Sequence, residues 1–595
     1  MGRTKSKTID CVNCPINYYL VPIRMLKVTS MRSALLFIFL VILVTGCSDR
    51  VVTPDESADI PTFENPILAG FYPDPTICQA NGKFYLTTST FAYFPGLPIF
   101  ESEDLVNWEL IGHAMDRPSQ LNTMNSGVSR GLFAPGMTYH DGTFYITCTN
   151  VSGNGNYIIT ATDPAGPWSE PTYLPEVNGI DPSLFFDDDG SMYIVYNSIP
   201  PGDSSLYDGH RTIRQYEIDP ASLSVTGEQT LLVNGGTDLS KEPVWIEAPH
   251  IYHINDYYYL MCAEGGTGPQ HSEVIFRSDN VRGPYEPWDQ NPILTQRHLD
   301  PNRDNPVSYA GHADMVELEN GDWWAVFLAV RPYEGNYFNT GRDTWLAPVS
   351  WTEDGWPVIN PDFETVQYRY PTPLGNAVDT TGERFSGNVS FTDEFDGDSL
   401  NMRYVFLRTP EEKWYELTDE GLTMQLRPET ASGRGNPSFV GHRQHNMTGE
   451  ASVLLDFTPS SENESAGLLA FQNERRFFYI AKSLADGEPM IQFRRSLESG
   501  EGGTEVIESA PAPEGPVRLR ITFDGGDYAV SFAGENGDWQ TLADGLDGKY
   551  LSTDDAGGFV GVVLAPYATS DGEKSDNTAT FEWYRYAGND AIYKR

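Results

Sequence analysis

A short pattern of apolar and polar positions recurs five times in the first two-thirds of the chain. Each copy is a short apolar run, a turn dipeptide and a run rich in aromatic residues. The turn dipeptides are Asn81-Gly82, Asp141-Gly142, Asp189-Gly190, Asn255-Asp256 and Asn320-Gly321. Asn-Gly and Asp-Gly tolerate the positive φ angles of a two-residue turn, so each copy predicts a β-hairpin.

The spacing of the copies predicts how the hairpins are arranged. Aromatic residues of the second strands lie 48 to 66 residues apart. These residues are Tyr85, Tyr145, Tyr193, Tyr259 and Trp324. Such a spacing leaves room for four short strands per unit, as a propeller blade requires. We therefore predict a five-bladed β-propeller over residues 63–375.

A different pattern begins near residue 388. Apolar and polar residues alternate in Leu422–Leu426, Ala451–Phe457, Val517–Phe523 and Thr580–Tyr586. Regularly spaced strands of this kind are typical of a β-sandwich, which we predict over residues 388–590. No long stretch has a 3.6-residue apolar period, so the fold class is predicted to be all-β.

The N-terminal region has the pattern of a secretion signal. Residues 31–46 contain a basic start and a short apolar run, and end in Gly46 before Cys47. This junction resembles a bacterial lipoprotein cleavage site, which predicts lipidation at Cys47. Residues 1–30 are interpreted as an upstream extension and residues 47–62 as a linker. The remaining cysteines, Cys78, Cys148 and Cys262, are too scattered for a disulfide framework and are predicted to be buried.

Charge narrows the possible partners. The formal net charge is −44, which disfavours nucleic acid and anionic membrane surfaces as partners and is compatible with a neutral substrate. The membrane is expected to be contacted only through a lipid anchor. Localisation in the bacterial envelope, in the periplasm or at the outer membrane, is the corresponding prediction.

Three of the five copies place a carboxylate just before the first strand: Asp74, Asp181 and Glu247. If these strands surround the central channel, the three acids share one pocket. Glycosidic hydrolysis requires a protonated acid and a carboxylate, and a third carboxylate nearby would raise the pKa of the acid. An Asp before Pro is more often a turn residue, but Glu247 lies in an apolar setting where an idle carboxylate is unfavourable.

Several motifs together resemble glycoside hydrolase family 43, in particular its two-domain β-xylosidases and α-L-arabinofuranosidases. They are Asn65 to Pro75, Phe94 to Phe100, Asp104 to Trp108, Gly179 to Ser183, Ile246 to His250 and Gly341 to Trp345. The resemblance runs from about Asn65 to the C-terminus. It implies a five-bladed propeller, a concanavalin A-like sandwich that packs on it, and an inverting, exo-acting mechanism.

The resemblance also implies roles for individual residues. Asp74 matches the general base, Glu247 the general acid, and Asp181 the residue that orients the acid and tunes its pKa. The remaining matches concern substrate binding: Arg342 as a contact to the terminal sugar, Phe91 as an aromatic wall, and His312 at the channel centre. In relatives this histidine often lies beside a water-coordinated calcium; no cofactor is implied as a requirement.

Two positions depart from the family pattern. Phe133-Ala134-Pro135 has Phe where many xylosidases have Trp, and Asp343 stands where Glu is usual. Phe133 is expected to shape the sugar pocket. We predict release of xylose from the non-reducing ends of xylo-oligosaccharides, with two alternatives. One is an α-L-arabinofuranosidase that acts on arabinoxylan or arabinan, and the other is a non-catalytic glycan-binding lipoprotein.

Overall fold

The structure, a computed structural model, describes residues 60–379, 381–497 and 502–594. The predicted upstream extension, signal peptide, lipidated Cys47 and nearly all of the linker lie outside these residues. The described chain consists mainly of antiparallel strands, which form a five-bladed propeller followed by a two-sheet sandwich. The predicted fold class is therefore confirmed.

Each blade pairs its first four strands in chain order, starting from a strand that lies next to those of the neighbouring blades, and in blade 4 a fifth strand, Leu294–Thr295, also pairs with Ser272–Ser278. Blade 1 contains Thr76–Ala80, Lys83–Thr87, Gly96–Ser102 and Glu109–Met115. Blade 2 contains Gly136–His140, Thr143–Asn150, Gly155–Ala161 and Thr172–Tyr173. Blade 3 contains Ile180–Phe186, Met192–Ser198, Thr212–Asp219 and Ser224–Asn234. The strands of blades 4 and 5 are Glu247–Ile254, Tyr257–Glu264, Ser272–Ser278, Glu286–Pro287 and Leu294–Thr295; and Ser308–Glu317, Trp323–Val330, Asp343–Trp351 and Pro357–Ile359. A further strand, Thr62–Glu64, pairs with Arg369–Pro371.

The five predicted hairpins are present, but their turns differ. Asn81-Gly82 and Asp141-Gly142 have positive φ at both residues, and Asn255-Asp256 also forms a two-residue turn. The other two dipeptides lie inside the longer loops Asp187–Ser191 and Leu318–Asp322. There the Asp189 and Asn320 side chains accept hydrogen bonds from backbone N–H groups two residues further on, which closes a wider turn.

Hydrogen bonds across the channel join the first strands of different blades. The carboxylate of Asp314, in blade 5, accepts bonds from the Tyr252 hydroxyl of blade 4 (2.7 Å) and the Thr76 hydroxyl of blade 1 (2.8 Å). The Thr76 oxygen in turn accepts the Met137 backbone N–H of blade 2 (3.0 Å). The Ile77 N–H is a third donor to Asp314 (2.9 Å), so this buried carboxylate is well satisfied and joins the blades rather than acting on a ligand.

The sandwich has two sheets. In spatial order the first contains Tyr415–Thr418, Gly421–Gln425, Thr578–Gly588, Thr448–Asp456, Val517–Asp524, Asp527–Gly534 and Gln540–Asp547, with Ser390–Asp393 also paired to Thr578–Gly588. The second contains Ser438–Phe439, Val563–Thr569, Ser465–Asn473, Arg476–Ala485, Glu488–Ser496 and Thr504–Pro511, with His442–Arg443 paired to Val563–Thr569. Their alternating apolar residues fill the core between the sheets.

Helical structure is sparse in the part of the chain that the structure describes. The α-helix is Thr553–Ala556, and the 3₁₀ segments are Pro201–Asp203, Leu239–Lys241, Gly548–Leu551 and Ala591–Tyr593. No helix within the described ranges is long and apolar enough to span a bilayer. The cysteine prediction is confirmed, because Cys78, Cys148 and Cys262 are buried free thiols.

The two domains share a continuous apolar core beside the channel. Tyr93–Phe94 of the propeller pairs with Phe406–Leu407, and Arg443 donates to the Phe71 carbonyl (2.8 Å). One buried cluster contains both propeller and sandwich side chains. The sandwich is therefore in a position to shape one end of the propeller channel.

Candidate active site

The backbone places the three acids by a repeated local distortion. Asp74, Asp181 and His312 all have left-handed φ angles, of 55°, 54° and 53°. In blades 3, 4 and 5 the first strand is bulged at this point, and bulges redirect side chains. In blade 4 the left-handed residue is Ala248 (φ 52°), so Glu247 lies one residue earlier than the equivalent acids.

The distorted strand starts surround one cavity of about 310 Å³. All seven residues predicted for catalysis or substrate binding line it, together with five others. The complete lining is Asp74, Phe91, Phe133, Ala134, Ile180, Asp181, Trp245, Glu247, Thr267, His312, Arg342 and Phe559. A small, partly apolar cavity with a few convergent charged groups is typical of a ligand site.

Asp74 lies on the cationic side of this cavity. Its carboxylate accepts hydrogen bonds from the Arg342 guanidinium (2.6 Å) and the Ser89 hydroxyl (2.6 Å). Burial acts to raise the pKa of Asp74, but the Arg342 charge and these hydrogen bonds outweigh it, and the pKa lies below its ordinary value. Asp74 is therefore ionised at neutral pH and suited to accept a proton.

Glu247 and Asp181 lie on the opposite, anionic side. Burial and the nearby Asp74 carboxylate raise the pKa of Glu247 to about 7. Burial and the Glu247 carboxylate raise the pKa of Asp181 as well. Two such close carboxyls share a proton near neutral pH. The Ala248 backbone N–H stabilises ionised Asp181, whereas no hydrogen bond reaches the Glu247 carboxyl from the described residues, so we assign the proton to Glu247.

His312 faces the same cavity from blade 5. Its Nδ1 lies 3.6 Å from the Asp74 carboxylate, but burial lowers the pKa of the ring to about 3, so the imidazole is neutral at physiological pH. Calcium prefers six to eight oxygen ligands. Around His312 the described side chains form no group of three that could ligate a metal, and the one such group in the described ranges is Asp187, Asp188 and His253 on an outer hairpin. A water-coordinated calcium beside His312 stays a prediction.

Three phenylalanines form the apolar wall. Phe91 stacks on Phe559 with ring centroids 5.8 Å apart, and Phe133 contacts both edge-on. The Arg342 guanidinium lies 5.8 Å from the Phe91 ring centre and 5.7 Å from that of Phe559. This wall fixes the guanidinium, which donates to the Asp74 carboxylate (2.6 Å) and to the Phe559 carbonyl (3.3 Å).

Phe559 comes from the sandwich, and the sequence analysis did not identify it. Its backbone N–H donates to the Ser129 hydroxyl of the propeller (3.0 Å). A side chain at Gly558 would collide with Ser129, and one at Gly561 would collide with the Thr340 carbonyl. These glycines allow the sandwich loop to approach the channel closely. The available signal was the segment Gly557-Gly558-Phe559, which lies in a domain that contains none of the predicted catalytic acids.

Asp343, the second departure from the family pattern, does not line the cavity. It forms a buried ion pair with Arg331 (2.8 Å) and accepts the Gly70 N–H (2.6 Å). Arg331 also contacts Asp590 near the C-terminus (3.4 Å). Asp343 therefore supports the contact between the domains and not the sugar pocket.

An ionised carboxylate faces a protonated carboxyl across this cavity, beside the Arg342 guanidinium and the aromatic wall. This arrangement on a five-bladed propeller defines a hydrolase of glycosidic bonds. The profile "Glycosyl hydrolases family 43" matches residues 63–357, and "Beta xylosidase C-terminal Concanavalin A-like domain" matches residues 392–587. The chain belongs to glycosyl hydrolase family 43 and is a glycosidase.

Similar proteins cover nearly the whole described chain. A "Xylosidase/arabinosidase" of Butyrivibrio fibrisolvens is 39% identical over 527 residues, 87% of this chain and 98% of that protein. A "Non-reducing end alpha-L-arabinofuranosidase" of Bacteroides ovatus is 37% identical, over 88% and 94% of the two chains. The protein in the crystal structure of a GH43_12 retrieved from capybara gut metagenome is 38% identical in sequence, and the two structures match with a TM-score of 0.80 over 86% of this chain and 96% of that chain.

Proposed function

We propose that this chain is an exo-acting, inverting glycosidase that removes one terminal pentose from the non-reducing end of an oligosaccharide. The observation that carries this proposal is the opposite perturbation of the Asp74 and Glu247 pKa values within one small cavity. The small volume and the closing Phe559 wall support action on a chain end. A binding protein has no need for a buried group of three carboxyls.

In the proposed mechanism Asp74 removes a proton from a water molecule, which attacks the anomeric carbon. Glu247 donates its proton to the departing glycosidic oxygen, and Asp181 orients Glu247 and keeps its pKa high. Arg342 holds sugar hydroxyls with its planar set of donors. Inversion requires the two carboxyls to stand roughly 6.5–9.5 Å apart, with the water between them.

Two pentoses are candidates. The motif match to two-domain β-xylosidases favours xylose. The two relatives reported above favour the arabinofuranose alternative, because one carries both activities in its name and the other only arabinofuranosidase. Phe133, in place of a larger Trp, leaves more room in the terminal site, which is compatible with a furanose ring. We therefore place α-L-arabinofuranosides first and β-D-xylosides second.

The deciding experiment is turnover of 4-nitrophenyl α-L-arabinofuranoside beside 4-nitrophenyl β-D-xyloside, with Asp74→Ala as the inactive control. We expect the arabinofuranoside to give the higher kcat/KM. A dominant xyloside activity would reverse the order of the two sugars and keep the mechanism. Retained activity of Asp74→Ala would contradict the mechanism. The anomer released first, followed by NMR, tests inversion directly.

We further propose that Cys47 carries a lipid and anchors the enzyme in the bacterial envelope. The support is the basic start, the apolar run and the Gly46-Cys47 junction of the sequence. In a bacterial host, metabolic labelling with a tagged palmitate should mark the wild type and not Cys47→Ala. Labelling of both proteins would contradict the proposal.

A further inference from the structure

Trp245 has an unusual backbone at the rim of the cavity. It lines the cavity and is half-buried, with a φ of 52°, which is an outlier for a bulky side chain. Such a conformation persists only where its surroundings hold it. Here the Trp245 N–H donates to the Gly209 carbonyl (2.8 Å), and the Gly265 N–H donates to the Val244 carbonyl (2.8 Å). Strain of this kind is concentrated at functional sites.

A guanidinium covers one face of the indole. The Arg211 side chain lies 3.7 Å from the ring centre and also donates to the His210 carbonyl (2.9 Å). Among the described residues, the Trp245 ring belongs to no aromatic pair, and its indole Nε1–H has no acceptor. The indole is therefore not a core side chain. Arg211 holds one face of the ring, and the ring therefore offers an apolar surface and an indole N–H that is free to donate a hydrogen bond.

The position of Trp245 relative to Glu247 indicates which sugar the indole contacts. Glu247 must touch the glycosidic oxygen when it donates its proton, so the departing sugar lies on the Glu247 side. Trp245 lies two residues before Glu247, the first residue of the strand Glu247–Ile254, and lines the same cavity. The terminal sugar occupies the other side, between Arg342 and the wall that contains Phe559.

We infer that Trp245, held by Arg211, binds the sugar on the leaving side of the scissile bond and selects oligosaccharides over small glycosides. Sugar rings present apolar C–H faces that pack on an indole, and the indole N–H is free to donate to a hydroxyl. This inference rests on the proposed function, since it takes Glu247 as the proton donor. Trp245 would contribute to affinity for the oligosaccharide and not to recognition of the terminal pentose.

The test compares Trp245→Ala with Trp539→Ala. Trp539 is also half-buried, and Arg518 and Arg520 lie over its ring at 4.9 and 4.2 Å, but it belongs to the sandwich and does not line the cavity. We expect Trp245→Ala to lower kcat/KM on α-1,5-arabinotriose and β-1,4-xylotriose roughly tenfold, the effect of losing about 1.4 kcal/mol of binding. Inhibition by free L-arabinose or D-xylose should stay unchanged, and Trp539→Ala should match the wild type.

A second measurement needs no turnover. In an Asp74→Asn background, calorimetry should show weaker trisaccharide binding for Trp245→Ala and near-normal binding for Trp245→Phe, which retains a ring. Equal loss of free pentose and trisaccharide binding would place Trp245 in the terminal site and overturn the inference. Unchanged trisaccharide binding would also overturn it. Absence of turnover by the wild type on every glycoside would contradict the proposed function, and calorimetry would still decide the role of Trp245.

Discussion

The two sides of the cavity contain the same kind of side chain and behave in opposite ways. Asp74 and Glu247 are both buried carboxyls placed by strand starts of the propeller. On the Asp74 side, Arg342 donates a 2.6 Å charged hydrogen bond and the pKa falls below its ordinary value. On the Glu247 side, burial and the Asp74 carboxylate raise the pKa to about 7, and Asp181 is a further carboxyl whose own pKa burial and Glu247 raise.

Burial does not distinguish the two carboxyls, because it acts to raise the pKa of both. The neighbouring charged group decides the direction in which each pKa moves. Arg342, the cation beside Asp74, therefore helps to make Asp74 the proton acceptor, in addition to binding sugar. Each of the following predictions tests a part of this difference.

The largest effect on activity is expected from removing the negative charge of Asp74 or the acidic proton of Glu247. Asp74→Asn and Glu247→Gln should each lower kcat on natural oligosaccharides by about 10²- to 10⁴-fold, the usual contribution of a general base or acid. An aryl glycoside with a very acidic leaving group should restore much of the activity of Glu247→Gln, since that bond needs no protonation. The same substrate should not restore Asp74→Asn. Steady-state kinetics on both substrates test this, and equal recovery by the two variants would contradict the assignment.

Asp181→Asn should reduce the difference between the pKa values of Asp74 and Glu247, because it removes a charge from the anionic side of the cavity. Loss of a neighbouring negative charge lowers the pKa of Glu247. Activity depends on protonated Glu247 and therefore falls as pH rises through its pKa, about 7 in the wild type. The upper limb of the kcat/KM profile should move to lower pH, with a loss of up to about 10²-fold at pH 7 from misplacement of the acid. The lower limb, set by Asp74, should stay in place, and an unchanged upper limb would contradict the coupling.

The Glu247 and Asp74 carboxyls should also have opposite effects on the stability of the fold. A raised pKa means that ionised Glu247 destabilises the fold as pH rises through about 7, so at pH 8 Glu247→Gln should stabilise it by up to about 3 kcal/mol. Asp74 has a lowered pKa and stabilises the fold except at low pH. Asp74→Asn leaves Arg342 buried without its ion-pair partner, which typically costs about 3–5 kcal/mol. Denaturant unfolding at pH 8 checks the opposite signs; destabilisation by both variants would contradict them.

Much of the propeller and its acids could be predicted from the sequence, because the turn dipeptides and the shared position of the acids just before a first strand are local signals. The loops at Asp189 and Asn320 were missed, since an Asx side chain closes a wider turn as readily as Asn-Gly closes a tight one. Phe559 could not be predicted, because it is about 217 residues from Arg342 in sequence and its position depends on the packing of two domains. The left-handed backbone of Trp245 has no sequence signal, since a bulky residue does not favour it.

The smallest effect is expected where the sandwich closes the cavity. Phe559→Ala would admit water beside both carboxyls, and burial is the largest influence on each pKa. The pKa of Glu247 should therefore fall toward its ordinary value, which moves the upper limb of the pH profile in the same direction as Asp181→Asn does. The Arg342 guanidinium would lose one of its two aromatic neighbours, and KM should rise about tenfold as that contact and the exclusion of water are weakened. Phe439→Leu, within the shared core but away from the cavity lining, is the matched control. An unchanged pH profile with a raised KM would mean that Phe559 only packs against the sugar, and that the difference between the two sides arises in the propeller alone.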